Sequence, residues 1–564
     1  MNISKLALKL ILTIFFVTIF FSTTQSKSLD KYNDGKSIAG YFSGVLLLND
    51  NQYRQSYEYL KKLDGLEESH LNYSQKYLHS LINLSKFSEA FSYSKKLEKR
   101  KLDSFESDLI IGIYYLKNEN FELAQKYFNK IKNRKSQFIL NSFVSNSLSN
   151  WVSFKKINLD HAQTKIDLID SRFENLKKIQ GAFLHCYYQS DQTDIFFKKL
   201  TSNTKKDFSR YNYFYINYLV NSNQINEARK VISSSLELYP RNVLLNQYKL
   251  DFSNEKLKKN FNCQKISHVI AEILYITANA LSSQSMYSFS NFYLNLAKYL
   301  NSDFKSFDAL LAENFYKIKN YQKAKKIYNK IKQEGSAYLW YAAKQNAKIL
   351  IKEDKRDNAL KLITETFEKL LSKGPYEIFD YAEFLRTNDQ FEKSIKYYSK
   401  IMQTIKRDHL LYPEVTDGRG IAYEQIGEWD KAEKDFLNSL DSNPNQAYVI
   451  NYLAYSWIEK GINIEQSLKM LKKANSLKSN DPYIIDSLGW ALYKLKKYKE
   501  SKSYLQVAVQ LIPDDPIVSD HYGDVLWMNG QEIEARYYWN YVLNLNDVED
   551  DLKNNVKTKL VSGL

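Results

Sequence analysis

Long hydrophobic runs, cysteine, proline and glycine motifs are all scarce in this 564-residue sequence. Its one sustained apolar run, Leu10 to Phe21, is 12 residues, short of the roughly 20 that cross a bilayer. Glycine nowhere forms G-x-G-x-x-G or G-x-S-x-G, which leaves no dinucleotide turn and no nucleophile elbow. The string Asp34-Gly35-Lys36-Ser37 lacks the glycine that a phosphate loop places five residues before its Gly-Lys pair, and Asp30 stands there instead. The seven histidines, His70, His79, His161, His185, His268, His409 and His521, show neither H-E-x-x-H nor another metal spacing. His185 and Cys186 are adjacent, so on a helix they point in different directions. Neither an enzyme, a metal site nor a cofactor is expected.

Only two cysteines occur, Cys186 and Cys263. If the chain is a stack of helices about 8 to 10 Å apart, these two lie more than two repeats apart. A disulfide needs Cα atoms within about 7 Å, so two separate buried thiols are expected.

At the N-terminus, Lys5 and Lys9 precede the apolar run, and small polar residues through Ser26 follow it. That is the grammar of a secretory signal peptide over residues 1–26; an uncleaved N-terminal anchor is the alternative. No cysteine stands near residue 26, which argues against a lipoprotein. The chain is expected to be exported to a bacterial periplasm and not to be an integral membrane protein. Its net charge of +16 would fall to +14 when Lys5 and Lys9 leave with the signal. The lysines are scattered, which suits a solvated helical surface, or attraction to an anionic polymer or membrane face.

Periodicity dominates what remains. A small or apolar residue recurs from Gly44 through Leu78 to Gly112, and from Ala278 through Ala312, Ala347, Ala382, Gly420, Ala454 and Gly489 to Gly523, at steps of 34 to 38. A second small residue follows most anchors by 12 positions, as at Ser56, Ala90, Ala124, Ala324, Ala432, Ser501 and Ala535. Two small residues per unit let two helices approach closely. All seven prolines fall between units: Pro240, Pro444 and Pro513 close one, whereas Pro375, Pro413, Pro482 and Pro516 open one. Helix interiors tolerate proline poorly, so each unit is expected to be a helical hairpin. Units are poorly matched over 132–210 and 242–267.

The stretch from Thr416 to Pro444, with Gly420, Tyr423, Trp429, Ala432, Phe436 and Pro444, resembles the tetratricopeptide repeat. The resemblance runs from about Gly40 to Asn546, and residues 451–543 also resemble the tail of exported proteobacterial proteins of this type. It implies an all-α, right-handed superhelical solenoid of antiparallel helix pairs. The implied organisation is a signal peptide at 1–26, divergent repeats at 27–266, a regular array at 267–546 and a capping helix at 547–564.

The resemblance also implies a concave groove lined by first-helix residues. In the last three units these are Tyr448, Asn451, Tyr455 and Ile458; Tyr483, Asp486, Trp490 and Tyr493; and Ile517, Asp520, Asp524, Trp527 and Met528. The aromatic side chains either anchor a partner or fill the seam between successive first helices. The three aspartates could hold a basic group of an incoming peptide, although acids near a helix start are common. The expected function is a non-catalytic scaffold that binds a protein segment, in envelope or outer-membrane assembly. The alternatives are a factor that binds polysaccharide or peptidoglycan, or a regulatory subunit of a cell-wall enzyme. Nucleic acid is not an expected partner.

Overall fold

The computed structural model describes residues 35–134, 139–202, 207–258, 260–545 and 548–564. The expected signal peptide lies outside them. Every regular element among the described residues is helical, as the sequence period requires.

Packing explains the repeat. A Cβ on Gly489 would come within 2.7 Å of Leu505 Cγ and 3.2 Å of the Leu505 backbone nitrogen. On Gly523 it would meet the Trp539 indole at 2.5 Å. Leu505 and Trp539 stand at the same offset in the second helix of their pairs. The small residue twelve positions on closes the contact: Ser501 Oγ donates to the Gly489 carbonyl, and Ser56 Oγ to that of Gly44, both at 2.7 Å. Gly489→Leu is therefore expected to cost about 1–3 kcal/mol by overpacking. A urea midpoint equal to that of the parent would contradict this register.

Turns and caps repeat too. The turns between paired helices place a residue at positive φ whatever its side chain: Gly427 and Gly530, Gly461 together with Asn463, but also Ser85, Ser285 and Lys496. Asp481 caps the helix that opens at Pro482, accepting from Tyr483 N and Ile484 N, and Asp515 does the same after the next repeat.

The chain forms two compact units that divide after Ala359, whereas the sequence suggested a change near residue 266. The reason lies in how the first unit packs. Its early first helices, α1 (Leu71–Asn83), α2 (Phe105–Lys117), α3 (Ile139–Ser153), α4 (Glu174–Tyr187) and α5 (Ser209–Asn221), stack in order with their partners. One further helix, Val243–Ser253, is followed by a loop in place of a second helix of its own and packs instead on the later helix Ser336–Lys352. The chain resumes with α6 (Ile266–Ser283), α7 (Tyr287–Leu300), α8 (Ser306–Lys317) and α9 (Ser336–Lys352). Helix α6 packs on α3, and α7 on α1 and α2. The His79 ring stacks on Phe292 at 4.3 Å, and Asn295 Nδ2 donates to Asn83 Oδ1 at 3.1 Å. The inner face of the earliest repeats is thus covered by the chain's own later helices, so residue 266 cannot separate two bodies.

This return also corrects the cysteine expectation. Cys186, at the end of α4, and Cys263, in the loop before α6, are disulfide-bonded with Cα atoms 5.9 Å apart. The separation argument assumed that each repeat touches only its neighbours. Instead, Phe261 lays the loop back across Phe183 and Phe214, at ring distances of 5.5 and 4.4 Å.

The second unit, residues 360–564, stacks its pairs in sequence. Its last first-helices are α10 (Ala447–Glu459), α11 (Pro482–Lys494) and α12 (Pro516–Met528), followed by α13 (Glu532–Leu543). Helix α14 (Asp550–Ser562) packs on α13, burying Val556 with Leu552 and Leu560 beside it, while Val561 points to solvent.

Candidate functional site

The face expected to form a groove in the last three repeats splits into two layers. Tyr448, Tyr483 and Ile517, each in the first turn of its helix, are about half exposed, at 56%, 51% and 48%, and Met528 is also exposed. Tyr448 accepts from Lys478 Nζ and donates to Asp481, so it is anchored at the rim. Asn451 and Tyr455 are half-buried, and Asn451 Oδ1 has no hydrogen-bond partner among the described residues. Ile458 is buried.

Beneath this rim the aromatic and acidic residues pack against one another. Trp490 is buried, stacks on His521 at 3.9 Å and on Tyr493 at 4.6 Å, and donates Nε1 to Glu459 at 2.6 Å. Trp527 lies 5.4 Å from Trp539, with the Arg536 guanidinium over its ring. Asp486, on α11, pairs with His521 Nδ1, on α12, at 3.0 Å. Asp520 and Asp524 both accept from Lys559 Nζ of α14, at 2.7–2.9 Å, and Asp524 also accepts from Trp539 Nε1. The three aspartates expected to be open to a basic group of a partner are buried and already hold cations of their own chain.

Electrostatics in this layer set a pH dependence. Burial opposes charge on His521, yet Asp486, Asp520 and Asp524 outweigh it and raise its pKa above 6.5. Burial, with repulsion from Asp520, pushes Asp524 up to about 6 against the pull of Lys559. A raised His pKa gives stability that is present below about 6.5 and lost as pH rises through the folded pKa. A raised Asp pKa means that the ionised carboxyl burdens the fold above about 6, a burden relieved on acidification towards 3.8. Both effects make the last repeats more stable at pH 5.5 than at pH 8, by on the order of 1–3 kcal/mol. Urea midpoints at the two pH values should show this, and Asp524→Asn should remove part of the difference.

A more open recess lies in the first unit, on the inner face where α4, α5, α6, α8 and α9 converge with the Val243–Ser253 helix. It is a cavity of about 480 Å³ walled by Ile179, Leu244, Tyr275, Ile276, Tyr338 and Tyr341. Its base is polar and satisfied: Arg210 forks onto Glu272 at 2.6 and 2.8 Å, donates to Ser306 Oγ and lies 3.8 Å from the Tyr275 ring. Burial works against the Arg210 charge, but Glu272 outweighs it, and the guanidinium stays ionised. Tyr341 donates to Glu313 at 2.6 Å. A signal for this recess was present in the sequence. The offsets that give Tyr483, Asp486 and Trp490 from Gly489 give Tyr341 from Ala347, and Tyr275 and Asn279 from Ala278. Transferring those offsets only to the last three units missed it.

Residues 296–548 match the family model described as tetratricopeptide repeat. That stretch of the chain is built of tetratricopeptide repeats. It is 29% identical over 181 residues to a TPR repeat-containing protein of Pseudomonas aeruginosa, covering 31% of this chain and 29% of that one. A TPR repeat-containing protein of Methanocaldococcus jannaschii is 24% identical over 313 residues, covering 46% and 53%. The chain therefore spans about half or less of the curated relatives it matches. Among solved structures, a tetratricopeptide repeat protein from Parabacteroides merdae aligns at a TM-score of 0.32 and 14% identity, covering 39% of this chain and 87% of that one. MamA from Desulfovibrio magneticus aligns at 0.28 and 18%, covering 32% and 99%. Tetratricopeptide repeats are in general non-catalytic scaffolds that bind protein partners.

Proposed function

We propose that this tetratricopeptide repeat chain is an exported scaffold of the bacterial envelope that holds an extended protein segment in the tyrosine-walled recess of its first unit. One observation carries the reading: the recess lies within the about 300–1,000 Å³ of ligand pockets and presents three tyrosines over a satisfied polar base. Tyrosines supply apolar area together with a hydroxyl, which suits binding anchors. The rim of Tyr448, Tyr483 and Ile517 in the second unit offers apolar contact without a cavity. Export is supported by Lys5, Lys9 and the apolar run that follows, and by the Cys186–Cys263 bond, which an oxidising compartment preserves.

A photoreactive residue at Tyr341, with a control on the outer Ile225–Leu238 helix, tests the binding half in envelope extract. A defined protein captured at position 341 and not at the control is expected. Equal capture at both, no capture, or capture of glycan alone would overturn it. Fractionation together with N-terminal sequencing tests the export half, with a mature terminus near residue 27 as the expected result.

A further inference from the structure

The tyrosine-walled recess carries charge that its base does not settle. Arg210 and Glu272 neutralise each other beneath it, and the two carboxylates that line it, Asp207 and Glu313, form no ion pair among the described residues. Both are exposed. Two unpaired acids on one cavity, in a chain of net charge +16, draw positive charge into a cleft whose apolar walls focus the field.

The tyrosines point the same way for a separate reason. Tyr341 donates to Glu313 at 2.6 Å, but the hydroxyls of Tyr275 and Tyr338, which also line the recess, make no hydrogen bond among the described residues. Tyr338 is 6% exposed, so little bulk water reaches it, and the other cavity it borders, of about 30 Å³, has room for water alone. A hydroxyl so placed is satisfied best by a donor that enters the recess, and the ring faces favour a cation. The chain uses this chemistry once already, where the Arg210 guanidinium lies 3.8 Å from the Tyr275 ring and forks onto Glu272.

We propose that the recess takes an arginine side chain of the extended partner segment, its guanidinium donating to Glu313 and to the free tyrosine hydroxyls and its plane lying against a tyrosine ring. Arginine suits this site better than lysine, because five donors in a fixed fork meet a carboxylate and hydroxyls together and the plane stacks on aromatic faces. Asp207 adds to the attraction. The inference rests on the reading of the recess as a protein-binding site and names the side chain that the site selects.

Fluorescence anisotropy of the full chain with labelled seven-residue peptide pools tests it, the flanks random and the central residue arginine, lysine, citrulline, leucine or glutamate. Citrulline keeps the shape of arginine without its charge. The arginine pool should bind at least tenfold more tightly than the citrulline, leucine and glutamate pools, and more tightly than the lysine pool. Glu313 is exposed, and glutamine there still accepts from Tyr341, so Glu313→Gln should keep the parent's urea midpoint while the arginine preference falls tenfold or more. Tyr338→Phe, which removes only the hydroxyl, should weaken the arginine pool and leave the leucine pool unmoved. Lysine, citrulline or leucine bound as tightly as arginine, a preference unmoved by Glu313→Gln, or binding by no pool would overturn the proposal. Capture of a defined protein at position 341 would leave the scaffold reading standing in each of those cases, whereas failure of that capture overturns the reading itself.

Discussion

Lys559→Ala is expected to destabilise the second unit by about 3–5 kcal/mol, the range found when one partner of a buried ion pair is removed. Lys559 Nζ is the cation bonded to both Asp520 and Asp524, and all three side chains are less than a tenth exposed. Without it, two carboxylates would face each other with little water to solvate them. Lost packing is the lesser part, so Lys559→Met, which keeps the apolar stem, should be nearly as damaging. The loss should shrink as pH falls towards 5, because an unpaired acid there takes up a proton instead of remaining charged. Adding Asp520→Asn and Asp524→Asn to Lys559→Met should restore most of the stability, since neither position then carries a charge left without Lys559. Urea denaturation across this series separates charge from packing. If Lys559→Ala matched the parent at pH 7.5, the buried cluster would not be holding α14.

Cys263→Ser should cost about 4 kcal/mol, from the loop entropy returned to the unfolded chain when a 77-residue closure is released. The closed segment runs through the Thr193–Thr201 helix, α5, the Ile225–Leu238 helix and the Val243–Ser253 helix. That last helix has no second helix of its own, so the bond substitutes for the missing half of a repeat by fixing where the loop returns. Reductant should lower the urea midpoint of the parent and leave that of the variant unchanged. Equal midpoints for oxidised parent, reduced parent and variant would show that Phe261 packing alone seats the loop. The effect is expected in the first unit, so His521 and Lys559 variants should combine with it additively.

Much of the fold was legible because a repeat states its own rule many times. Gly489 and Gly523 each face a bulky residue at the same offset in the next helix, a contact that recurs every unit and therefore leaves a period in the sequence. Pro482 and Pro516 announce helix starts for an equally local reason: they lack the donor that a first turn does not use. The candidate sites were less legible. Asp486, Asp520 and Asp524 lie in the first helices where the sequence put them, but they are buried against Lys559 and His521, which no spacing rule connects to them. The tyrosine-walled recess needed the groove offsets to be carried into the units before residue 360.

By itself the sequence determined the local and repeated properties: all-helical hairpins, their register, the small residues at their contacts, and the absence of catalytic motifs. Each depends on interactions within about 16 positions, where chain connectivity already brings partners together. Tertiary structure alone decided what lies far apart in sequence and close in space: the Cys186–Cys263 bond, the burial of the inner face of α1 to α3 under α6 and α7, and the closing of an acidic layer by Lys559. The first two turn on the return of the chain after Ser253, where a helix followed by a loop instead of a second helix sets the path without leaving a periodic mark, and the third turns on the last helix folding back over Asp520 and Asp524.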